Sequence, residues 1–381
     1  MPNISVKIKD IFADHWDTFI DEGYPVRPAV LKNVDKIIKC GDPSMGHALY
    51  HCEHCGEFKH VYFTCKSRFC NSCGAKYIQD RASSISSKLI NCKHRHIVFT
   101  IPEELRIFFR RDRELLNLLF KASADTILTW FFKLNKSENF KPGFISTMHT
   151  FGRDLKWNPH IHMLLTEGAS GNRTVWRRIS HIPFNMLRKR WQATILSFLH
   201  EKLGSSFYPL KTYLFKNYTK GFYVYANPNV NSKSSEAIKY IIRYTGRPAM
   251  AQSRILDYDG EFVEFYYDRH EDGKRVVEKI HAFEFIKRLI IHIPEEQFKM
   301  IRYYGLYAKK YTHSSKLYLM DTISKKNFRK KYSHWRARLL LAFGVDPLWC
   351  SCGHTMELVG IFQSGKNPYI ENMSSPLYNS S

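Results

Sequence analysis

The sequence predicts an α+β fold: an antiparallel sheet with helices on one face, preceded by a small zinc-binding domain. Three observations carry this. Strand-like and helix-like segments alternate through the middle of the 381-residue chain. Six of its nine cysteines fall between Cys40 and Cys73, four of them as two Cys-x-x-Cys pairs. A His-x-His pair, His160 and His162, lies in a run with the alternation of a strand.

Taken in order, the run His96-Ile97-Val98-Phe99-Thr100-Ile101 is strand-like and stops at Pro102. Residues 103–134 read as one or two helices with an apolar face through Leu105, Phe108, Phe109, Leu115, Leu119 and Ile127. Two strands, 144–151 and 159–165, are joined by a loop at 152–158. A helix over 183–203 takes Pro183 into its first turn, where a missing N–H costs nothing. A strand at 221–225 and a helix at about 235–245 follow, the helix ending at Gly246 and Pro248. The order βαββαβα suits a ferredoxin-like or RNA-recognition-motif-like sheet. We expect an N-terminal helical segment over 1–39, a zinc-binding DNA-recognition domain over 40–92 and the sheet domain over 93–250. A basic β/α extension over 251–365 and a disordered tail over 366–381 complete the division.

An apolar share of 44% excludes a mainly disordered chain. No apolar run approaches the ~18 residues of a membrane span, and the opening lacks the basic-then-apolar order of an export signal. A cytoplasmic setting follows as the expectation. The net charge of +23 calls for an anionic partner. It is spread along the chain, not gathered on one amphipathic helix, which favours nucleic acid over a membrane surface. Basic residues interleave with aromatics, as in Arg302-Tyr303-Tyr304 and Phe328-Arg329-Lys330-Lys331-Tyr332. Such stretches suit stacking on unpaired bases, although each alone reads as core aromatics beside a solvated basic face.

Cys52-x-x-Cys55 and Cys70-x-x-Cys73 have the spacing of a structural zinc site in which each knuckle gives two thiolates. Cys40 and Cys65, with one of His47, His51, His54 or His60, offer a second site. Cys350 and Cys352 are half a site, either a knuckle completed from elsewhere or two core thiols. Closed cysteine sites are structural, so this region should hold or read DNA, with Arg68, Lys59, Lys66 and Lys76 supplying charge.

On a strand, His160 and His162 point one way while Ile161, Met163 and Leu165 point into the core. Two imidazoles so placed make a partial metal site with room for a third ligand, His149 or Asp154, and a substrate oxygen. Alone, the pair is more often two surface histidines. Tyr240 and Tyr244, four apart on the predicted helix, share a face with Arg243 and Arg247 near by. Alone, this pair is more often packing. Together, in a chain built for polyanions, they specify attack of a tyrosine oxygen on a metal-polarised phosphate of single-stranded DNA.

The His-hydrophobic-His strand and the Tyr-x-x-x-Tyr helix resemble the HUH endonuclease superfamily. Together with the Cys40–Cys73 segment, His149-Thr150-Phe151-Gly152-Arg153-Asp154, the 301–307 run and Cys350/Cys352, they resemble the two-tyrosine rolling-circle transposases of bacterial insertion sequences, the insertion-sequence-ninety-one family. The resemblance implies an HUH-type fold and a single-strand DNA endonuclease and strand transferase. It implies Mg²⁺ or Mn²⁺ on His160 and His162, with His149 or Asp154 as the third ligand, and nucleophiles at Tyr240 and Tyr244; Zn²⁺ is expected on Cys52, Cys55, Cys70, Cys73, Cys40 and Cys65. DNA contacts are expected at Arg243, Arg247 and Arg68, with element ends and target DNA as partners and a bacterial, nucleoid-associated location. The alternatives are a non-catalytic zinc-dependent DNA-binding protein and a plasmid rolling-circle replication initiator. No Gly-x-x-x-x-Gly-Lys-Ser/Thr loop for a nucleotide is present.

Overall fold

The computed structural model describes residues 6–179, 181–225, 249–269, 272–308 and 323–370, the last apart from 335, 338–339, 341–345, 347, 364 and 367. Along the chain run α1 (Ile8–Asp21), α2 (Pro28–Ile38), β1 (His47–His51), β2 (Phe58–Tyr62), α3 (Asn71–Lys88), β3 (His94–Phe99), α4 (Glu103–Arg111) and α5 (Leu116–Leu134). Then follow β4 (Lys141–Phe151), β5 (Trp157–Ser170), β6 (Arg177–Arg178), α6 (Phe184–Leu203), α7 (Tyr208–Asn217) and β7 (Val224–Tyr225). The remainder comprises β8 (Ile255–Tyr258), β9 (Phe262–Asp268), β10 (Arg275–His281), α8 (Ala282–Ile290), β11 (Ile301–Gly305), α9 (Ile323–Ser333), β12 (Glu357–Phe362) and β13 (Tyr369–Ile370). The predicted helix at 235–245 and residues 371–381 of the tail lie outside the described residues. Among the described residues no helix is long and apolar enough to cross a membrane.

The chain divides into two compact units. The first joins Met1–Ser83, Gly246–Pro294 and Lys331–Ser381; the second joins Ser84–Thr245 and Glu295–Lys330.

In the second unit the sheet order is β11-β4-β5-β3-β7, with β6 paired to the far part of β5. Numbering β3, β4, β5 and β7 as strands one to four gives 4-1-3-2, every neighbour antiparallel. That is the ferredoxin-like order, so the α+β expectation holds. The alternation of β5 decides its two faces. Ile161, Met163 and Leu165 are buried under α4, α5 and α6 in a core with Phe99, Phe109, Phe120, Phe131 and Trp191. Trp191 binds helix to sheet, its indole N–H donating to Thr100 O at 2.7 Å. Among the described residues, one end of the opposite face is covered. There Ile85, Leu89 and Ile90, at and just beyond the end of α3, pack on Ile145, Leu164, Leu306 and Tyr307.

β11 was not expected. It pairs antiparallel with β4, Arg302 opposite Ser146 and Tyr304 opposite Phe144. The Tyr304 ring stacks on Phe144 at 4.9 Å, and Arg302 lies 4.1 Å from the Phe120 ring centroid. These two members of the Arg302-Tyr303-Tyr304 stretch therefore pack on the helical side of the sheet, the blander of their two readings.

In the first unit, α1 buries Ile8, Ile11, Phe12, Trp16 and Phe19, one stripe at helical spacing. One sheet runs β13-β12-β1-β2, and β8, β9 and β10 form a separate meander. The short strand Tyr369–Ile370 pairs with Gly360 and Ile361, in a stretch expected to be disordered.

Candidate functional site

β5 and β4 bring His160, His162 and His149 together. His149 lies opposite His160 and Thr147 opposite His162, so all three imidazoles share the face away from the main core. One ring nitrogen from each falls within 4.8 Å of the others. The Nε2 atoms of His160 and His162 are 2.9 Å apart. Two adjacent ligands of an octahedral ion at about 2.1 Å would be about 3.0 Å apart, so the donor set fits a divalent cation. Asp154, the alternative third ligand, is engaged in its own turn. Its Oδ1 accepts from the Lys156 N–H at 3.1 Å, and Oδ2 is 3.5 Å from Lys156 Nζ.

Neighbouring groups set the tautomers. His160 Nδ1 is 2.6 Å from the Asn158 carbonyl oxygen, which can only accept. The proton is therefore on Nδ1, and the Nε2 lone pair of His160 faces the site. His162 Nδ1 is 2.8 Å from Nε2 of His96 on β3. Burial pushes the His96 imidazole down to about 3 and also lowers that of His160. A neutral His96 accepts from His162 Nδ1–H, which puts the His162 lone pair on Nε2, the atom turned towards His160. Sequence reasoning missed His96. Its signal was there: His94-Arg95-His96 repeats the His-x-His alternation on the adjacent strand.

Tyr240, Tyr244, Arg243 and Arg247 lie outside the described residues. Arg68, expected to contact DNA, is buried, with its guanidinium carbon 5.8 Å from the Phe69 ring centroid. Desolvation there lowers its pKa, so the group is not presented as a surface cation.

Eight cysteines form two clusters, both in the first unit. One joins Cys40, Cys65, Cys70 and Cys73; the other joins Cys52, Cys55, Cys350 and Cys352. The two Cys-x-x-Cys pairs thus do not share an ion, and the half site at Cys350/Cys352 is completed by Cys52/Cys55. Sulfurs of the first cluster are 3.5 Å apart (Cys40–Cys73 and Cys65–Cys73) and 3.8 Å apart (Cys40–Cys70). In the second, Cys52–Cys352 and Cys55–Cys350 are each 3.6 Å apart. A tetrahedron with Zn–S bonds of about 2.3 Å has edges of about 3.8 Å, so both clusters fit zinc.

Local sequence explains the pairing. Cys52/Cys55 and Cys350/Cys352 sit on tight turns closed by Gly56 (φ 73°) and Gly353 (φ 88°), a backbone that glycine adopts without strain. β12 lies antiparallel to β1, His51 opposite Glu357, which brings the two turns together. Cys73 instead lies in the first turn of α3, where the helix N-terminus favours a thiolate. Gly74 follows it where an added Cβ would be 2.8 Å from the Arg68 carbonyl oxygen. The Cys55 backbone N–H pulls the Cys52 thiol down to about 7, towards the ionised form that zinc needs.

Comparison with known proteins supports a zinc-binding segment near the N-terminus. Residues 11–101 match the family described as "Transposase zinc-binding domain", and residues 143–315 match that described as "Putative transposase". The chain is 27% identical over 382 residues to the "Transposase for insertion sequence element IS801" of Pseudomonas savastanoi pv. phaseolicola, covering 94% of this chain and 92% of the relative. It is 24% identical over 369 residues to "Putative transposase y4qJ" of Sinorhizobium fredii (strain NBRC 101917 / NGR234), covering 88% and 91%. No solved structure gives a significant match. With one segment matched by a transposase zinc-binding domain and the next by a transposase family, and with relatives named transposases matched over most of their length, the chain is similar to IS91-type insertion-sequence transposases and is a DNA-processing enzyme.

Proposed function

We propose that the chain cleaves and rejoins single-stranded DNA through a 5′-phosphotyrosine, in rolling-circle-like transposition. The observation that carries this reading is the convergence of His149, His160 and His162 on one sheet face, within 4.8 Å of one another. A divalent cation, Mg²⁺ or Mn²⁺, would supply positive charge to a scissile phosphate oxygen there. His160 is oriented by the Asn158 carbonyl and His162 by His96, so both present Nε2 to the substrate side. Tyr240 or Tyr244 loses its phenolic proton to solvent, and its oxygen attacks phosphorus. The bond from phosphorus to the 3′-oxygen breaks, that oxygen takes up a proton, and the 5′-phosphate stays on the tyrosine. The reverse step, from another 3′-hydroxyl, rejoins a strand without ATP. The second tyrosine permits a second transfer before the first is resolved.

The test is incubation with labelled single-stranded oligonucleotides from the element's ends, in Mg²⁺ or Mn²⁺, followed by a denaturing gel. A protein–DNA adduct on the 5′ side is expected, and the Y240F/Y244F double variant should lack it. A full yield of adduct from that variant would remove the assignment.

A further inference from the structure

We infer that Tyr223 and Tyr225 form a stacking platform for unpaired DNA bases beside the histidine site. This deepens the single-strand reading and rests on it. The argument begins with register. Val98 on β3 lies opposite His162 on one side and opposite Tyr225 on the other. Directly opposed residues project to the same face, so Tyr225 shares the face of His162, two strands away. With strands about 4.8 Å apart, their backbones are about 10 Å apart. Tyr223, two residues earlier, points the same way, held where its carbonyl accepts from the Thr100 N–H at 3.1 Å.

The two rings are parallel to within 6°, with centroids 6.1 Å apart. They are 51% and 41% exposed, whereas Phe222 before them and Val224 between them are buried at 1% and 0%. The alternation is therefore complete: the apolar residues of this segment fill the core, and large flat rings are left on the side of the histidines. Exposed tyrosines on a terminal strand are common, but here a cation is fixed to them. Arg188 on α6 has its guanidinium carbon 5.0 Å from the Tyr223 centroid, and its Nε donates to the Val224 carbonyl at 3.3 Å. Ring faces for bases and a tethered guanidinium for phosphate are the two parts of a sequence-tolerant single-strand site. The net charge of +23 favours that occupant over a protein partner. A strand lying across β7, β3 and β5 would have bases on the tyrosines and a backbone phosphate at the imidazoles.

The test uses the full zinc-loaded chain and a single-stranded oligonucleotide carrying 2-aminopurine, without Mg²⁺ or Mn²⁺ so that binding is read apart from cleavage. Stacking should quench the 2-aminopurine emission. Y223L/Y225L should lose that quenching and weaken binding by about 5- to 150-fold per stacked base, whereas Y223F/Y225F should keep both. A duplex of the same sequence should bind the native and Leu variants alike. Native quenching and affinity in the Leu variant, or an equal loss in the Phe variant, would overturn the platform. Photocrosslinking of native protein to 5-iodouracil strands is a check that needs no variant: adducts should map to Tyr223 or Tyr225, and their absence from both counts against it. Native protein separates the two ideas: quenching without Mg²⁺ or Mn²⁺ but no covalent adduct when either is added sinks the nuclease reading and leaves the platform standing, whereas an adduct without quenching does the reverse.

Discussion

Replacing Cys350 and Cys352 by serine should cost the chain one of two zinc ions, even though both lie far outside the segment matched as a zinc-binding domain. Cys52 and Cys55 contribute only half of their cluster. Structural zinc in small domains is bound with an apparent free energy of about 10–16 kcal/mol, so removing two of four thiolates forfeits roughly 5–8 kcal/mol. That is about 10⁴- to 10⁶-fold in affinity, enough for a chelator to strip the ion. His354→Ala belongs in the same variant, because His354 Nδ1 is 3.6 Å from Cys352 Sγ and offers a substitute ligand. The assay is metal per chain by mass spectrometry, with zinc release to a chromogenic chelator followed in time. Native protein should give two zinc ions released in two phases. The faster phase belongs to the cluster whose Cys55 and Cys352 are exposed, the slower to the one with Cys70 and Cys73 buried. The variant should contain one zinc and lack the fast phase. Two zinc ions per chain in the variant, with both phases intact, would refute the pairing of the knuckles.

Three further outcomes follow from the geometry. His96→Ala removes the acceptor for His162 Nδ1–H and should weaken Mn²⁺ binding, read by calorimetry, by about 10- to 100-fold; His96→Gln, whose side-chain oxygen can accept the same bond, should recover part of it. The folded-state pKa of His96 is lowered below its ordinary value, so its contribution to stability is full above pH 6.5 and is lost as pH falls towards about 3. At pH 5.5 the loss is about 1.4 kcal/mol, measured as the difference in urea unfolding between pH 7.5 and 5.5 without Mg²⁺ or Mn²⁺, and His96→Gln should flatten it. Trp191→Ala opens a cavity at a fully buried site and leaves the Thr100 carbonyl without its donor, which should destabilise the second unit by about 3–5 kcal/mol in denaturant unfolding.

Where local pattern and burial coincide, the fold was legible. The apolar stripe of residues 103–134, the proline before α6 and the alternation of β4 and β5 each report contacts that the segment makes through one face. β11 was not legible, because none of Ile301–Gly305 is fully buried and its partner lies far back in the chain. The β8–β10 meander was missed although Val263 and Phe265 are buried in alternation on β9. At the histidine site the ligand pair was visible as a spacing, but His96 was not, since its role depends on which strand lies beside β5. The cysteines carry the same lesson. Two identical Cys-x-x-Cys motifs look like partners, yet one is a turn on a sheet and the other opens a helix. Register, not motif, decides which sulfurs meet.

The cluster of Cys52, Cys55, Cys350 and Cys352 has a consequence for the order in which the protein is made. Cys40 and Cys73 are 33 positions apart, so their zinc can be captured while the chain is short. Cys52 and Cys352 are 300 positions apart. At about 5–20 residues per second on the ribosome, roughly 15–60 s pass between the appearance of one and of the other. Throughout that interval the early pair waits as bare thiols, open to oxidation or to capture of metal beside the wrong neighbours. Loading of the second ion therefore marks a polypeptide translated at least as far as residue 352, and chains halted earlier carry one metal and an unfinished sheet.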